Sequence, residues 1–378
     1  MPHTRTTHLR RSDEQFMRLA IGLARRGGSG VSPNPRVGAL LVRNGRIIGR
    51  GWHRIFGGPH AEVMAIRNAR GPVRGATIYV NLEPCNIYGK TPPCTDLLIR
   101  SGIRRVVVGS LDPNPAVSGR GIRQLRKAGI RVTTGVLRDE CETLNEDFAK
   151  YIRQNIPFVT LKIAQTLDGR IADTSGRSKW ITGPAARASV HRMRAESDAI
   201  LVGAGTVNAD NPRLTARISR TPGPLRIVLD GRLTTRPGAR IFGNQRVAKT
   251  ILLTDGRYLR KNPTRKRAFE RRGIALFAFR TATAGKISLR DILRFLGTAG
   301  IKALFVEGGA GIFSRFLEED CADRILCYTT GLILGAGLPA ISYEKPLPLT
   351  GAKRLHRVSY ERIGDDILIT GYCTTLRS

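Results

Sequence analysis

Apolar residues recur along this chain at two periods, and the switches between them divide it into elements. Phe16, Leu19, Ala20 and Leu23 stand at helical spacing behind Ser12 and Gln15, a capping-box pair, and predict a helix over residues 13–26. The glycine-rich stretch 27–30 stops it and leads to Pro33-Asn34-Pro35. Two apolar runs, 39–42 and 47–51, flank Asn44-Gly45, a dipeptide suited to a two-residue hairpin. Helices are then expected at 60–69, 95–100 and 119–127, alternating with strands at 77–82, 105–109 and 130–133, which makes a central sheet covered by helices. Residues 137–153 read as one charged amphipathic segment ending at Asn155-Ile156-Pro157. A domain boundary is placed there, between 1–154 and 155–378. Apolar strands at 158–164, 199–202, 226–229, 250–253, 303–306 and 324–328, with a last one at 366–372, predict a second α/β domain. The basic segment 257–272 reads as a solvated face.

Composition adds limits to that layout. A length of 378 residues is ample for two cores. No apolar run approaches the roughly eighteen residues of a spanning helix, so no membrane partner is expected. The basic N-terminal stretch lacks an apolar core, so a secretory signal is not expected either. Six scattered cysteines fit reduced, mostly buried thiols and a cytoplasmic location. The outlier is charge: 63 Lys and Arg against 29 Asp and Glu give +34, which alone would point to nucleic acid. The cations are spread over both halves, however, and aromatics make up only 6% of the chain, little material for base stacking. Anionic small-molecule ligands in an arginine-rich protein account for the charge without a specific nucleic-acid partner.

The stretch from Gly58 to Cys94 concentrates the candidate chemistry. His60, Cys85 and Cys94 offer one imidazole and two thiolates, which suits zinc and leaves a fourth tetrahedral position open, as a catalytic centre requires. Glu62, two residues after the histidine, is the expected proton carrier. His53 is the nearest fourth ligand and is left out, since it lies on the strand side. Zinc deaminases of nucleobases carry H-x-E followed by P-C-x-x-C; here eight residues separate the cysteines, arguing for a smaller substrate. Asn34, fixed between two prolines, is placed to read a pyrimidine edge. Lys90 and Thr91, in the inter-cysteine loop, are candidates for a substrate phosphate.

The run His60-Ala61-Glu62 with Glu83-Pro84-Cys85 and Gly89-Lys90-Thr91-Pro92-Pro93-Cys94 resembles the deaminase half of the bifunctional riboflavin-biosynthesis family, in which a diaminohydroxyphosphoribosylaminopyrimidine deaminase is joined to a 5-amino-6-(5-phosphoribosylamino)uracil reductase. The resemblance implies a cytidine-deaminase-like domain followed by a dihydrofolate-reductase-like α/β domain. It extends into the second half through four clusters: 161–170, 178–183, 197–215 and Val306-Glu307-Gly308-Gly309. The last ends a strand and opens a helix, presenting free N–H groups to a pyrophosphate, although its glycines depart from the G-x-G-x-x-G pattern.

That family membership would assign NADPH to Ala164, Trp180, Thr206, Asp210 and the loop Gly309, Ala310, Gly311, Ile312, Phe313, Ser314 and Arg315. It would give Ser178, Arg194, Leu214, Arg217 and Glu307 to the phosphorylated pyrimidine substrate, the two arginines forking onto phosphate. Lys162 and Asp168 are the expected helpers in opening and protonating the ribose; Asp168 reads equally as a turn residue before Gly169. A homo-oligomer is also the expectation for this family. Two other readings are a tRNA base deaminase with an unrelated second domain, which the long inter-cysteine loop disfavours, and a nucleic-acid-binding protein using zinc structurally.

Overall fold

Asn44 and Gly45 take φ of 51° and 73°, the doubly left-handed turn that lets two strands fold back with matching twist. The hairpin belongs to the first of two compact units, Met1–Asn155 and Ile156–Ser378, that the chain forms in a computed structural model describing residues 3–216, 223–283 and 285–373. The first contains α1 (His3–Ala24), β1 (Gly38–Arg43), β2 (Arg46–Trp52), α2 (Ala61–Arg67), β3 (Thr77–Leu82), α3 (Cys94–Arg100), β4 (Arg105–Ser110), α4 (Arg120–Lys127), β5 (Arg131–Thr134), α5 (Arg138–Leu144) and α6 (Glu146–Gln154). Its sheet runs β2-β1-β3-β4-β5, antiparallel at β1 and parallel from β3 onward.

Alternation along these strands makes three layers. Ala39, Leu41, Ile78, Val80, Val106 and Val108 face α2, α3 and α4. Leu40, Val42, Tyr79 and Val107 face α1 and α5. Burying both faces explains why β3 and β4 read as continuous apolar runs.

The second unit holds β6 (Phe158–Gln165), β7 (Arg170–Ala172), α7 (Pro184–Glu196), β8 (Ala199–Gly203), α8 (Ala204–Asp210), β9 (Leu225–Leu229), β10 (Thr250–Asp255), α9 (Gly256–Lys261), α10 (Pro263–Glu270), β11 (Ala275–Phe279), α11 (Leu289–Thr298), β12 (Ala303–Val306), α12 (Ala310–Glu318), β13 (Arg324–Thr329), β14 (Leu338–Pro339), β15 (His356–Ile363) and β16 (Asp366–Tyr372). Nine strands form one sheet in the order β11-β10-β9-β8-β12-β6-β13-β16-β15. Seven are parallel and the terminal hairpin is antiparallel. α11 and α12 cover one face and α7 the other. Among the described residues, no helix is long and apolar enough to cross a membrane.

Three expectations change. The first helix begins at His3, so Ser12 lies inside it instead of capping it. The stretch 137–153, read as one charged amphipathic segment, is divided at Asn145 (φ −118°) into α5 and α6. Strand β15 was not expected: its residues are exposed along almost its whole length, so it carries no alternation of buried and polar positions.

Candidate active sites

The first site grows from three element ends. His60 is the N-cap of α2, with extended backbone, and Glu62 falls in the first turn, only 3% exposed. Glu83-Pro84 carries the chain out of β3 to Cys85, and Pro93 caps α3 so that Cys94 opens it. His60, Cys85 and Cys94 thus bring one nitrogen and two sulfurs within 4.8 Å of one another. His60 Nδ1 lies 3.5 Å from Cys85 Sγ and 3.3 Å from Cys94 Sγ. Zinc–sulfur and zinc–nitrogen bonds of about 2.3 and 2.05 Å at a tetrahedral angle set sulfur and nitrogen about 3.6 Å apart. The three donors therefore fit a zinc ion without rearrangement.

Electrostatics at this cluster favour the same chemistry. Hydrogen bonding with Cys94 draws the Cys85 thiol down to about 4 and holds Cys94 correspondingly up, so one thiolate forms readily. Burial pushes the Glu62 carboxyl up, towards a group that can hold a proton. Thr91 places its hydroxyl 3.3 Å from His60 Nε2, while Lys90 lies over the Phe56 ring.

Asn34 is held from both sides. Its Nδ2 donates to His53 Nε2 at 3.2 Å, and His53 Nδ1 donates to the Pro59 carbonyl at 3.0 Å, just before the ligand His60. His53, 2% exposed, is the residue that the sequence undervalued: set aside as a ligand, it instead orients the amide. Two residues on, Arg36 is clamped. Asn145 accepts from its N–H at 2.8 Å and donates to its carbonyl at 3.0 Å, Asn81 donates to the same carbonyl, and Asp147 pairs with its guanidinium at 3.1 Å. The break between α5 and α6 exists where Asn145 makes this clamp.

The second site is a cavity of about 1200 Å³ at the carboxyl ends of β6, β8 and β12. Lys162, Ala164, Ser178, Trp180, Arg194, Thr206, Asp210, Leu214 and Glu307 all line it, with Gly309 to Phe313 and Arg315. α12 begins at Ala310 with Gly309 as its N-cap, so its first N–H groups face the cavity. Gly308 has no room for a side chain, since a Cβ would lie 2.8 Å from that of Ile312. Ser178 donates to Asp210 at 3.0 Å.

Three expectations are revised in detail, and a fourth is not reached. Arg194 does not present a free fork: Nε and Nη2 reach Glu307 at 2.5 and 2.8 Å, and Nη1 donates to the Thr215 carbonyl. Burial opposes ionisation of Glu307, but Arg194 prevails and holds its carboxyl low; burial also pushes the Lys162 ammonium down. Ser314 is turned away, its hydroxyl accepting from the Ser342 N–H at 2.8 Å. Asp168 is absent from the cavity lining; its carboxylate accepts from Thr166 Oγ1, Leu334 N and Gly335 N, which makes it a turn clamp. Arg217 lies outside the described residues.

Comparison with known proteins gives each unit its relatives. Residues 10–110 match the model of the cytidine and deoxycytidylate deaminase zinc-binding region, and residues 157–369 match that of the RibD C-terminal domain. A riboflavin biosynthesis protein RibD from Aquifex aeolicus is 41% identical over 362 residues, 96% of this chain and 98% of that one. A solved diaminohydroxyphosphoribosylaminopyrimidine deaminase/5-amino-6-(5-phosphoribosylamino)uracil reductase from Thermotoga maritima is 41% identical, covers 97% of this chain and 99% of its own, and superposes with a TM-score of 0.84. The RibD of Acinetobacter baumannii is 34% identical, with 97% and 100% covered and a TM-score of 0.84.

Proposed function

Because the chain belongs to the RibD family of riboflavin-biosynthesis deaminase/reductases, we propose how its own residues divide the family's two reactions. It is a bifunctional enzyme: a zinc-dependent pyrimidine deaminase followed by an NADPH-dependent reductase. The first reaction hydrolyses 2,5-diamino-6-(5-phosphoribosylamino)pyrimidin-4(3H)-one to 5-amino-6-(5-phosphoribosylamino)uracil and ammonia. The second reduces the ribosyl group to ribityl. The observation that carries the deaminase assignment is the triangle of His60, Cys85 and Cys94, beside a buried Glu62.

Zinc held by those three residues supplies Lewis acidity that makes water a nucleophile near neutral pH. Glu62, its proton affinity raised by burial, accepts the proton of the attacking water. It gives that proton to the ring nitrogen, then takes the proton of the newly formed hydroxyl and passes it to the departing amine, so ammonia leaves as the carbonyl forms. The Asn34 amide, its orientation set by His53, hydrogen-bonds the pyrimidine edge. Lys90 and Thr91 approach the phosphate.

NADPH, when bound, supplies the hydride for the second step. The N-terminus of α12 with Gly309 to Phe313 and Arg315 takes its pyrophosphate, and Ala164, Trp180, Thr206 and Asp210 flank the rest. Ser178, Arg194, Leu214 and Glu307 bind the substrate, and the geometry favours Arg194 as the partner that keeps Glu307 ionised. Lys162, whose ammonium gives up its proton more readily in this cavity, protonates the opening ribose. Both phosphorylated ligands account for a use of positive charge that needs no specific nucleic acid. We place the enzyme in the cytoplasm, as a homo-oligomer.

Ammonia release and NADPH oxidation, followed together on the diaminopyrimidine ribosyl phosphate, test this reading. Both should occur, both should vanish in His60→Ala, and NADPH oxidation should return when the deaminated intermediate is supplied. Ammonia without NADPH loss would leave a deaminase with a misassigned second unit.

A further inference from the structure

One acidic residue of the first unit has no part in the scheme above. Glu83 ends the strand that leads to Cys85 and is 3% exposed. Its carboxylate accepts three backbone N–H groups: Gly119 at 2.8 Å and Asp112 at 3.3 Å on one oxygen, Ile122 at 3.1 Å on the other. Gly119 is the N-cap of α4, has no side chain to cap it, and is followed by no acidic residue in the first turn. Glu83 therefore supplies from another strand the anionic cap that α4 lacks. Contact continues one step along the chain, where Gly121 sits so tightly on the Pro84 carbonyl that a Cβ would come within 2.2 Å of it.

The same helix reaches the second thiolate. Gln124 donates to Asp96 at 2.7 Å and accepts from Thr95 Oγ1 at 3.0 Å, and both partners lie in the first turn of α3, which Cys94 opens. Thr95 in turn donates its N–H to the Cys85 carbonyl at 3.2 Å, and its one hydroxyl proton is shared between Gln124 and that carbonyl, 3.3 Å away. We infer that α4 is a brace for the metal centre, with Glu83 and Gln124 as positioning residues that set the spacing of Cys85 and Cys94. The inference rests on the reading of those cysteines as zinc ligands. All of α4 lies beyond residue 110, where the zinc-binding family match ends.

Groups that orient metal ligands typically contribute about ten- to hundredfold to metal affinity. The test uses the full chain, stripped and reloaded, with zinc affinity read by competition against a chromophoric chelator and ligand geometry read from the visible spectrum after cobalt substitution. Glu83→Gln keeps the shape but not the acceptor capacity, and Gln124→Met keeps the length but neither hydrogen bond. Each should weaken zinc roughly ten- to hundredfold and shift the cobalt bands. A role confined to stability would lower the unfolding temperature and leave the cobalt spectrum of the folded protein alone. Parent-like zinc affinity and cobalt bands in Gln124→Met, which leaves the α4 cap in place and guards against misfolding of Glu83→Gln, would overturn the brace. Failure of the parent itself to bind zinc would remove the ligand reading beneath it.

Discussion

In the first unit three donors lie within 4.8 Å, Glu62 beside them is 3% exposed, and the supporting hydrogen bonds reach back into the strands and helices. In the second, Lys162, Arg194 and Glu307 border a cavity of about 1200 Å³ whose Trp180 is 70% exposed. A reaction that moves one proton at one metal-activated water can be run in a small site built in advance. A reaction that must align a dinucleotide with a sugar phosphate needs room.

Perturbations should separate the two plans. Removing zinc with a chelator is expected to abolish ammonia release while leaving reduction of the deaminated intermediate at the parent rate; loss of both would show that the sites are coupled. Glu62→Gln should lower deamination by about 10²–10⁴-fold with zinc retained, measured as ammonia release alongside metal content. Lys162→Met should cut single-turnover NADPH oxidation by about 10²-fold or more, with ammonia release unaffected. Asn145→Ala leaves the Arg36 N–H unsatisfied, while Asn81 still donates to its carbonyl. It should cost about 1–3 kcal/mol in denaturant unfolding and raise the deaminase KM more than it lowers kcat. The smallest effect belongs to the open site: Trp180→Ala should raise the KM for NADPH only severalfold, about 1 kcal/mol, because so exposed a ring is only partly desolvated.

The difference in plan also governs what could be read from the chain. His60, Cys85 and Cys94 fall within one stretch, each at an element end marked by proline, so spacing alone conveyed the metal chemistry. The pair Arg194–Glu307 joins residues 113 apart and carries no local signature; its partnership exists only once α7 and β12 are packed. Asp168 showed the converse. Its place before a glycine supported a turn as well as a catalytic role, and the loop that decides between them, at Leu334 and Gly335, comes far later in the chain. The segment holding Asn145 has helical periodicity throughout, and nothing local announces that this amide leaves the helix to bind a distant peptide. Strand β15 was hidden for a simpler reason, since an exposed edge strand buries no face that could impose a pattern.

The Asn145 clamp bears on where the deaminase could be cut free. Residues 10–110 contain His60, Cys85, Cys94 and Glu62, and a fragment drawn to those limits would look sufficient. It would lack both Asn145 and Asp147, the fastenings of the segment that holds Asn34 against His53, as well as α4. A fragment that retained metal would thus have lost the fastenings of Asn34, the residue proposed to grip the pyrimidine. The shortest excised piece with a properly shaped substrate edge runs through α6.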